Sequence, residues 1–155
     1  MNIRPLAQGE QPPLKLMLLA DPSEAMIRSY GPEAFTWVLE DNDFVIGVYV
    51  LKPLADGGME LMNLAIEEER QGQGLGYQLL QHAMETAISM RAAYMLVGTG
   101  NSSVGQLYLY QKAGLRIDHV IHDYFTAHYD EPLVENGIPC RDRIVLKASF
   151  HTSKQ

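Results

Sequence analysis

Three glycines stand at alternate positions, Gly72, Gly74 and Gly76, in the segment EERQGQGLGYQLLQHAMETA that covers residues 67 to 86. Glycine lets a chain turn through left-handed backbone and brings amide N–H groups close to a ligand. A helix that starts straight after such a turn adds unpaired donors and the positive end of its dipole. The spacing therefore describes an anion site suited to a phosphate or pyrophosphate. Two nucleotide loops fail by counting: a dinucleotide fingerprint beginning at Gly72 needs a glycine at 77, which is Tyr77, and no lysine followed by Ser or Thr closes the stretch. The competing reading is a plain strand-to-helix turn. A second concentration of reactive groups is YFTAHYDEPLVENG, residues 124 to 137, whose His, Asp and Glu match no standard metal-ligand spacing. The single cysteine, Cys140, belongs to no metal cluster and can form no internal disulfide, so no metal is expected and a buried inert thiol is.

The elements that must carry these groups are legible in the same sequence. MNIRPLA gives a short first strand, and PLKLMLLA a helix started by Pro13. DPSE sets Asp21 as N-cap, Pro22 at the first helical position and Glu24 three residues after the cap, so a second helix is predicted from about Pro22 to Tyr30. EAFTWVLE, FVIGVYVLKPL and MELMNLAIEE are three β-rich runs separated by DND and ADGG, an antiparallel meander over residues 33 to 68. Leu80, Ala83, Met84, Ala87 and Ile88 recur at helical spacing and predict an amphipathic helix over 76–91. AYMLVGTG reads as a strand and SVGQLYLYQKAG as a helix ended by Gly114. LRIDHVIHDYF and RDRIVLKASF are the last two strands, joined by a long connection from about Thr126 to Cys140. The order is β-α-α-β-β-β-α-β-α-β-β, one α/β (mixed α+β) domain over residues 1–155 with about 150–155 as a C-terminal tail.

Composition narrows the partners. A chain of 155 residues holds one core and is short for two. No secretory leader and no run of 18 apolar residues stand in the sequence, so neither export nor membrane spanning is expected and a cytoplasmic setting is. Lys+Arg 12 against Asp+Glu 19 gives a net charge of -7, which repels nucleic acid and anionic lipid, and no basic patch opposes it.

Gln71, Gly74 and Gly76 fit the Q/R-x-x-G-x-G/A signature of the GNAT superfamily of acyl-CoA-dependent acyltransferases. ELMNLAI before the signature resembles that family's central strand, and LYQKAGL at 109 to 115 resembles its LYEKxGF segment. GTGN at 98 to 101 falls where a strand end supplies a polar residue near the cofactor. The resemblance covers residues 59 to 115, and the element order extends it to nearly the whole chain. It implies a central, mostly antiparallel sheet of six or seven strands with helices on both faces.

The resemblance also implies acetyl-CoA as cosubstrate. Its pyrophosphate would sit on backbone N–H groups of Gln71, Gly72, Gln73, Gly74, Leu75, Gly76 and Tyr77, its pantetheine arm along the splayed edge at Leu64, Ala65 and Ile66, with Asn101 as a further contact. Asn101 stands nine residues before Tyr110, two more than the family's usual spacing. The implied reaction is direct transfer of acetyl to a primary amine of a small molecule or peptide. It requires a neutral nucleophile, a route for its proton, a donor polarising the thioester carbonyl and an acid for the thiolate. Tyr110, four residues before Gly114 as in the family segment, is the acid; Tyr108 is the alternative that the shifted spacing favours, and the two cannot share a helix face. Glu60 is the candidate base, against the reading of a surface glutamate. Asn63 has opposite strand parity to Glu60, so both reach one site only across a bulge, and the N–H of Ile66 or Leu64 would polarise the carbonyl. Tyr124, His128, Tyr129, Asp130, Glu131 and Glu135 would form an aromatic, acidic wall for a cationic amine, or else a solvated loop or dimer contact. Dimerisation through the last strands is common in the family. Acetylation of a protein N-terminus and non-catalytic acyl-CoA sensing are the other functions the same fold would allow.

Overall fold

Alternation along the central strands builds two cores at once. Val38, Val48, Val50 and Ala65 are buried on one face of the sheet, while Leu39, Tyr49, Leu51, Leu61 and Leu64 are buried on the other. In the computed structural model, which describes residues 1–150, these residues belong to β2 (Phe35–Asp41), β3 (Phe44–Pro53) and β4 (Met59–Ile66), the expected antiparallel meander. Asn42 and Asp43 join β2 to β3 with φ of 51° and 69°, the left-handed pair that a two-residue hairpin needs. β1 (Asn2–Pro5) pairs with β2 at one edge. Beyond β4 come β5 (Tyr94–Gly100), β9 (Arg143–Ser149) and finally β6 (Arg116–Ile121), whose six residues are all exposed. The seven strands run in the order β1-β2-β3-β4-β5-β9-β6, mostly antiparallel, with β4 and β5 the parallel pair.

Helices cover both faces. α1 (Leu14–Ala20) and α2 (Glu24–Arg28) pack through Met17, Ile27 and Tyr30 on one side. α3 (Leu75–Ser89) and α4 (Val104–Lys112) cover the other. α3 buries Leu75, Leu79, Leu80, Ala83 and Ala87; each wholly buried leucine contributes about 1.5–3 kcal/mol. The expected apolar stripe ends early, since Ile88, in the last turn of α3, is 52% exposed.

Two local expectations are corrected. The N-cap of α2 is Ser23, whose Oγ accepts the Met26 N–H at 3.2 Å, and Asp21 is not the cap. The Asp21 carboxylate instead accepts the Ser23 N–H at 3.1 Å and a distant tyrosine hydroxyl described below, so the chain turns once more before the helix begins. The long connection before the last strand is also structured. It holds α5 (Tyr124–His128) and a hairpin of β7 (Val134–Glu135) and β8 (Ile138–Pro139), elements too short to declare themselves by periodicity.

One irregularity decides the site. The β3–β4 register steps from Val50↔Asn63 to Leu51↔Leu61, so Met62 is an extra residue in β4. The bulge reverses the strand's parity, which brings Glu60 and Asn63 to the same side. The Met62 carbonyl accepts the Tyr30 hydroxyl at 3.1 Å.

Candidate active site

β4 and β5 are paired only over Met59–Leu61 and Met95–Val97. Past that point the strands diverge and open the sheet toward α1 and α4. The Glu67 N–H donates to the Ile46 carbonyl at 2.8 Å, so strand alternation aims the N–H and C=O groups of Leu64 and Ile66 away from β3 and into the opening. The Ile66 carbonyl is taken by the Gln71 side-chain amide at 2.9 Å. Gln71 thereby fixes the start of the glycine loop to the strand end.

In that loop Gly72 and Gly74 have φ of 78° and 81°, and a Cβ on either would meet nothing within 4 Å. Backbone shape, not crowding by the protein, is what requires these glycines. Gly76 is different: it lies in the first turn of α3, where a Cβ would touch only Leu109 at 3.8 Å. From Gly72 to Tyr77, six consecutive backbone N–H groups have no protein acceptor among the described residues. Two of these six residues, Gly72 and Gly76, line a cavity of about 210 Å³ together with Leu19, Ala20, Leu64, Ala65, Ile66, Gln71, Gln106 and Leu109. Of the loop residues singled out by sequence, Gln73, Gly74, Leu75 and Tyr77 do not line it, Leu75 being buried in the core and Tyr77 meeting Lys112, and the Gln71 N–H is taken by the Glu68 carbonyl at 3.3 Å.

A second cavity of about 390 Å³ joins the first at Leu19, Ala20, Leu64 and Gln106. Tyr110, Glu60, Asn63, Tyr124, Tyr129 and Glu135 all line it, as do Asp21, Tyr30, Ser103, Cys140 and Arg143. Tyr110 is buried, and burial pushes its phenol well above the ordinary value; its hydroxyl makes no hydrogen bond to the described residues. Tyr108 is 66% exposed on the other side of α4, so it is Tyr110 that faces the site.

Glu60 Oε2 accepts the Arg143 guanidinium at 2.6 Å. The guanidinium also lies 5.2 Å from the Tyr124 ring centroid and crosses Gly98, where any Cβ would overlap it. Glu60 Oε1 has no protein donor among the described residues. The Tyr129 hydroxyl donates to Asp21 Oδ1 at 2.8 Å and bridges the two walls of the cavity. Burial first, and then that hydrogen bond, raises the Tyr129 phenol. Ser103 Oγ donates to Glu135 Oε1 at 2.6 Å. Tyr30 is pushed up to about 12 by burial, partly offset by the hydrogen bond from Asn63. Asn63 Nδ2 donates to the Met17 carbonyl at 3.0 Å and to the Tyr30 hydroxyl at 3.2 Å, so this buried amide holds α1 and α2 on β4. Cys140 is buried, and burial raises its thiol.

Four expected contacts lie elsewhere. Asn101 Oδ1 accepts the Arg141 and Asp142 N–H groups at 2.8 and 2.9 Å, while its Nδ2 donates to the Pro139 carbonyl. The side chain is spent on holding the entry to β9 and lines neither cavity. His128 stacks on the Tyr124 ring at 4.3 Å and donates from Nδ1 to the Tyr124 carbonyl, outside the cavity. Asp130 and Glu131 are exposed to solvent and line neither cavity. Sequence pattern marks neither Asp21 nor Arg143 as a site residue: DPSE satisfies the local rule for a helix cap, and nothing local in RDRIVLK singles out the second. Among the described residues no three His, Cys, Asp or Glu side chains gather as a metal site, and no helix is long and apolar enough to cross a membrane.

A family model described as "Acetyltransferase (GNAT) domain" matches residues 32–116. The uncharacterized N-acetyltransferase YvbK of Bacillus subtilis (strain 168) is 44% identical over 131 residues, 84% of each chain. A GNAT family acetyltransferase from Elizabethkingia anophelis, crystallised with acetyl-CoA bound, is 41% identical with a TM-score of 0.93 over 96% of this chain and 97% of that one. An IAA acetyltransferase from Bacillus cereus ATCC 14579 is 47% identical with a TM-score of 0.91 over 96% and 99%.

Proposed function

We propose that this chain, which belongs to the GNAT family of acetyltransferases, transfers an acetyl group from acetyl-CoA to a primary amine of a small cationic molecule. The observation that carries this reading is continuity. Six acceptor-free amides at the head of α3 lead past the open edge of β4 to a cavity containing a buried phenol and a free carboxylate oxygen. The Elizabethkingia relative with bound acetyl-CoA supports the same cosubstrate here.

Acetyl-CoA would supply a thioester, and the chain would do the rest. The loop amides would take the pyrophosphate charge. The outward N–H of Leu64 or Ile66 would donate to the thioester carbonyl oxygen as negative charge develops there. The neutral amine nitrogen attacks the carbonyl carbon, the C–S bond breaks, and the thiolate sulfur takes a proton from Tyr110. Burial keeps that phenol protonated, and the same dry surroundings raise the basicity of the thiolate. The amine's surplus proton would leave by water toward Glu60 Oε1, with Arg143 holding the other oxygen in place.

Charge supports a cationic acceptor. Arg143 neutralises Glu60, whereas Asp21 and Glu135 have no Lys, Arg or His within ion-pair distance among the described residues and are held by hydroxyls and one backbone N–H. Two uncompensated carboxylates and the rings of Tyr124 and Tyr129 favour an ammonium-bearing ligand. The bridge from Tyr129 to Asp21 ties two walls of the cavity together, which favours a small molecule over a protein N-terminus. We further read the chain as one acyltransferase domain over residues 1–155 acting in the cytoplasm.

The test is calorimetric titration with acetyl-CoA and CoA, on wild type and on Gly74→Glu, which puts bulk and negative charge at the loop. Binding that the variant abolishes, followed by CoA release with an amine panel, is the expected result; a folded wild type that binds neither ligand refutes the reading.

A further inference from the structure

α4 contributes side chains to both cavities. Ser103, Gln106 and Tyr110 line the larger cavity, and Gln106 and Leu109 the smaller one. Lys112 follows one turn beyond Leu109, in the last turn of the helix. There α4 runs close to the head of α3: Gly76 abuts Leu109, and Lys112 Nζ stands 5.3 Å from the Tyr77 ring centroid and 5.7 Å from that of Tyr108. Two phenol faces thus hold the ammonium beside the glycine loop.

The charge around the loop is otherwise unwelcoming to a polyphosphate. Glu67, Glu68 and Glu69 precede it, and the guanidinium of Arg70 is held by Asp41 at 2.8 Å. Lys112 has no carboxylate within ion-pair distance among the described residues, so its charge is available to a ligand. A CoA molecule with its pyrophosphate on the amides of Gly72 to Tyr77 would reach Tyr77 at the end of that run, and the Lys112 ammonium stands over the Tyr77 ring. The phosphorylated ribose is the part that arrives next.

We propose that Lys112, held between Tyr77 and Tyr108, binds the 3′-phosphate of CoA and makes the protein discriminate CoA from 3′-dephospho-CoA. This rests on the acyl-CoA reading above. The loop amides then handle the pyrophosphate, and a side-chain cation handles the one phosphate that lies beyond their reach. Because the lysine is exposed, the discrimination is modest, about two- to fivefold at low salt, and it shrinks as salt screens the pair.

The experiment is titration of wild type, Lys112→Ala and Lys112→Arg with CoA and with 3′-dephospho-CoA at low and high salt. The expected outcome is that wild type prefers CoA by about two- to fivefold, that Lys112→Ala binds both ligands as wild type binds 3′-dephospho-CoA, and that Lys112→Arg restores the preference. Equal weakening of both ligands in Lys112→Ala, or a wild type that binds the two alike, overturns the assignment while leaving the acyl-CoA reading intact. A folded wild type that binds neither ligand overturns both.

Discussion

Gly74→Ala separates the shape of the loop from its sterics. Gly74 has φ of 81° and ψ of 4°, and a Cβ there would meet nothing within 4 Å. The cost is therefore conformational: an L residue in left-handed backbone costs about 1–2 kcal/mol. For a chain of this size that corresponds to a fall in Tm of roughly 2–8 °C. If the loop relaxes to avoid the strain, at least one amide swings off the pyrophosphate. A hydrogen bond to a charged group contributes about 1.5–3 kcal/mol, so CoA affinity should drop roughly 10- to 150-fold. Gly76→Ala is the matched control. Its backbone is helical, its Cβ meets only Leu109 at 3.8 Å, and alanine in a helix gains about 0.5–1 kcal/mol over glycine. Calorimetry with CoA and thermal unfolding of both variants read the two effects independently. The reasoning is wrong if Gly74→Ala binds CoA as tightly as wild type, or if Gly76→Ala loses as much affinity and stability as Gly74→Ala.

Three further outcomes are expected. Tyr110→Phe should lower kcat by about 10²–10⁴-fold with CoA affinity unchanged, while Tyr108→Phe leaves kcat as it is; steady-state kinetics with any accepted amine distinguishes them. Asn101→Ala should destabilise the fold by about 1–3 kcal/mol in urea unfolding, because the Arg141 and Asp142 amides lose their acceptor, and CoA titration should show no change. Stability should hold up to about pH 10 and fall above it: Tyr30, Tyr49, Tyr110 and Tyr129 keep their protons in the folded state to a higher pH than in the unfolded chain, chiefly through burial. Deprotonation there favours unfolding. A urea midpoint that is flat from pH 9 to 11 would count against that burial.

What the sequence made legible was whatever is encoded within a few residues. The αL glycines of the loop, the Asn42-Asp43 hairpin and the apolar period of α3 are local signals, and the structure carries each of them. The choice of Tyr110 over Tyr108 needed packing, since residues two apart on a helix face different neighbours. Asp21 looked like a helix cap because DPSE satisfies the local rule; its actual partner, Tyr129, lies 108 residues away. Asn101 carried the right residue type near the right place, and long-range competition from the backbone before β9 captured it. Arg143 reaches Glu60 across two strand boundaries, a pairing that only the order β4-β5-β9 creates. The bulge at Met62 was conditional in the sequence: parity said that Glu60 and Asn63 needed one, and no residue type announced where it would be.

The divergence of β4 from β5 has a mechanical consequence. Among the described residues, three strand-paired positions join β4 of the β1–β4 half of the sheet to β5 of the β5–β9–β6 half. A cosubstrate lying in that cleft, with donors from β4 and α3 on one side and α4 on the other, would act as a suture across this seam. Its binding free energy is then also cohesion between the halves, and thermal stability should climb with the logarithm of cosubstrate concentration. Amide protons flanking the seam should gain protection from exchange before those of the β2–β3 ladder do. A cell's acetyl-CoA supply would in that sense set how tightly the two half-sheets hold together.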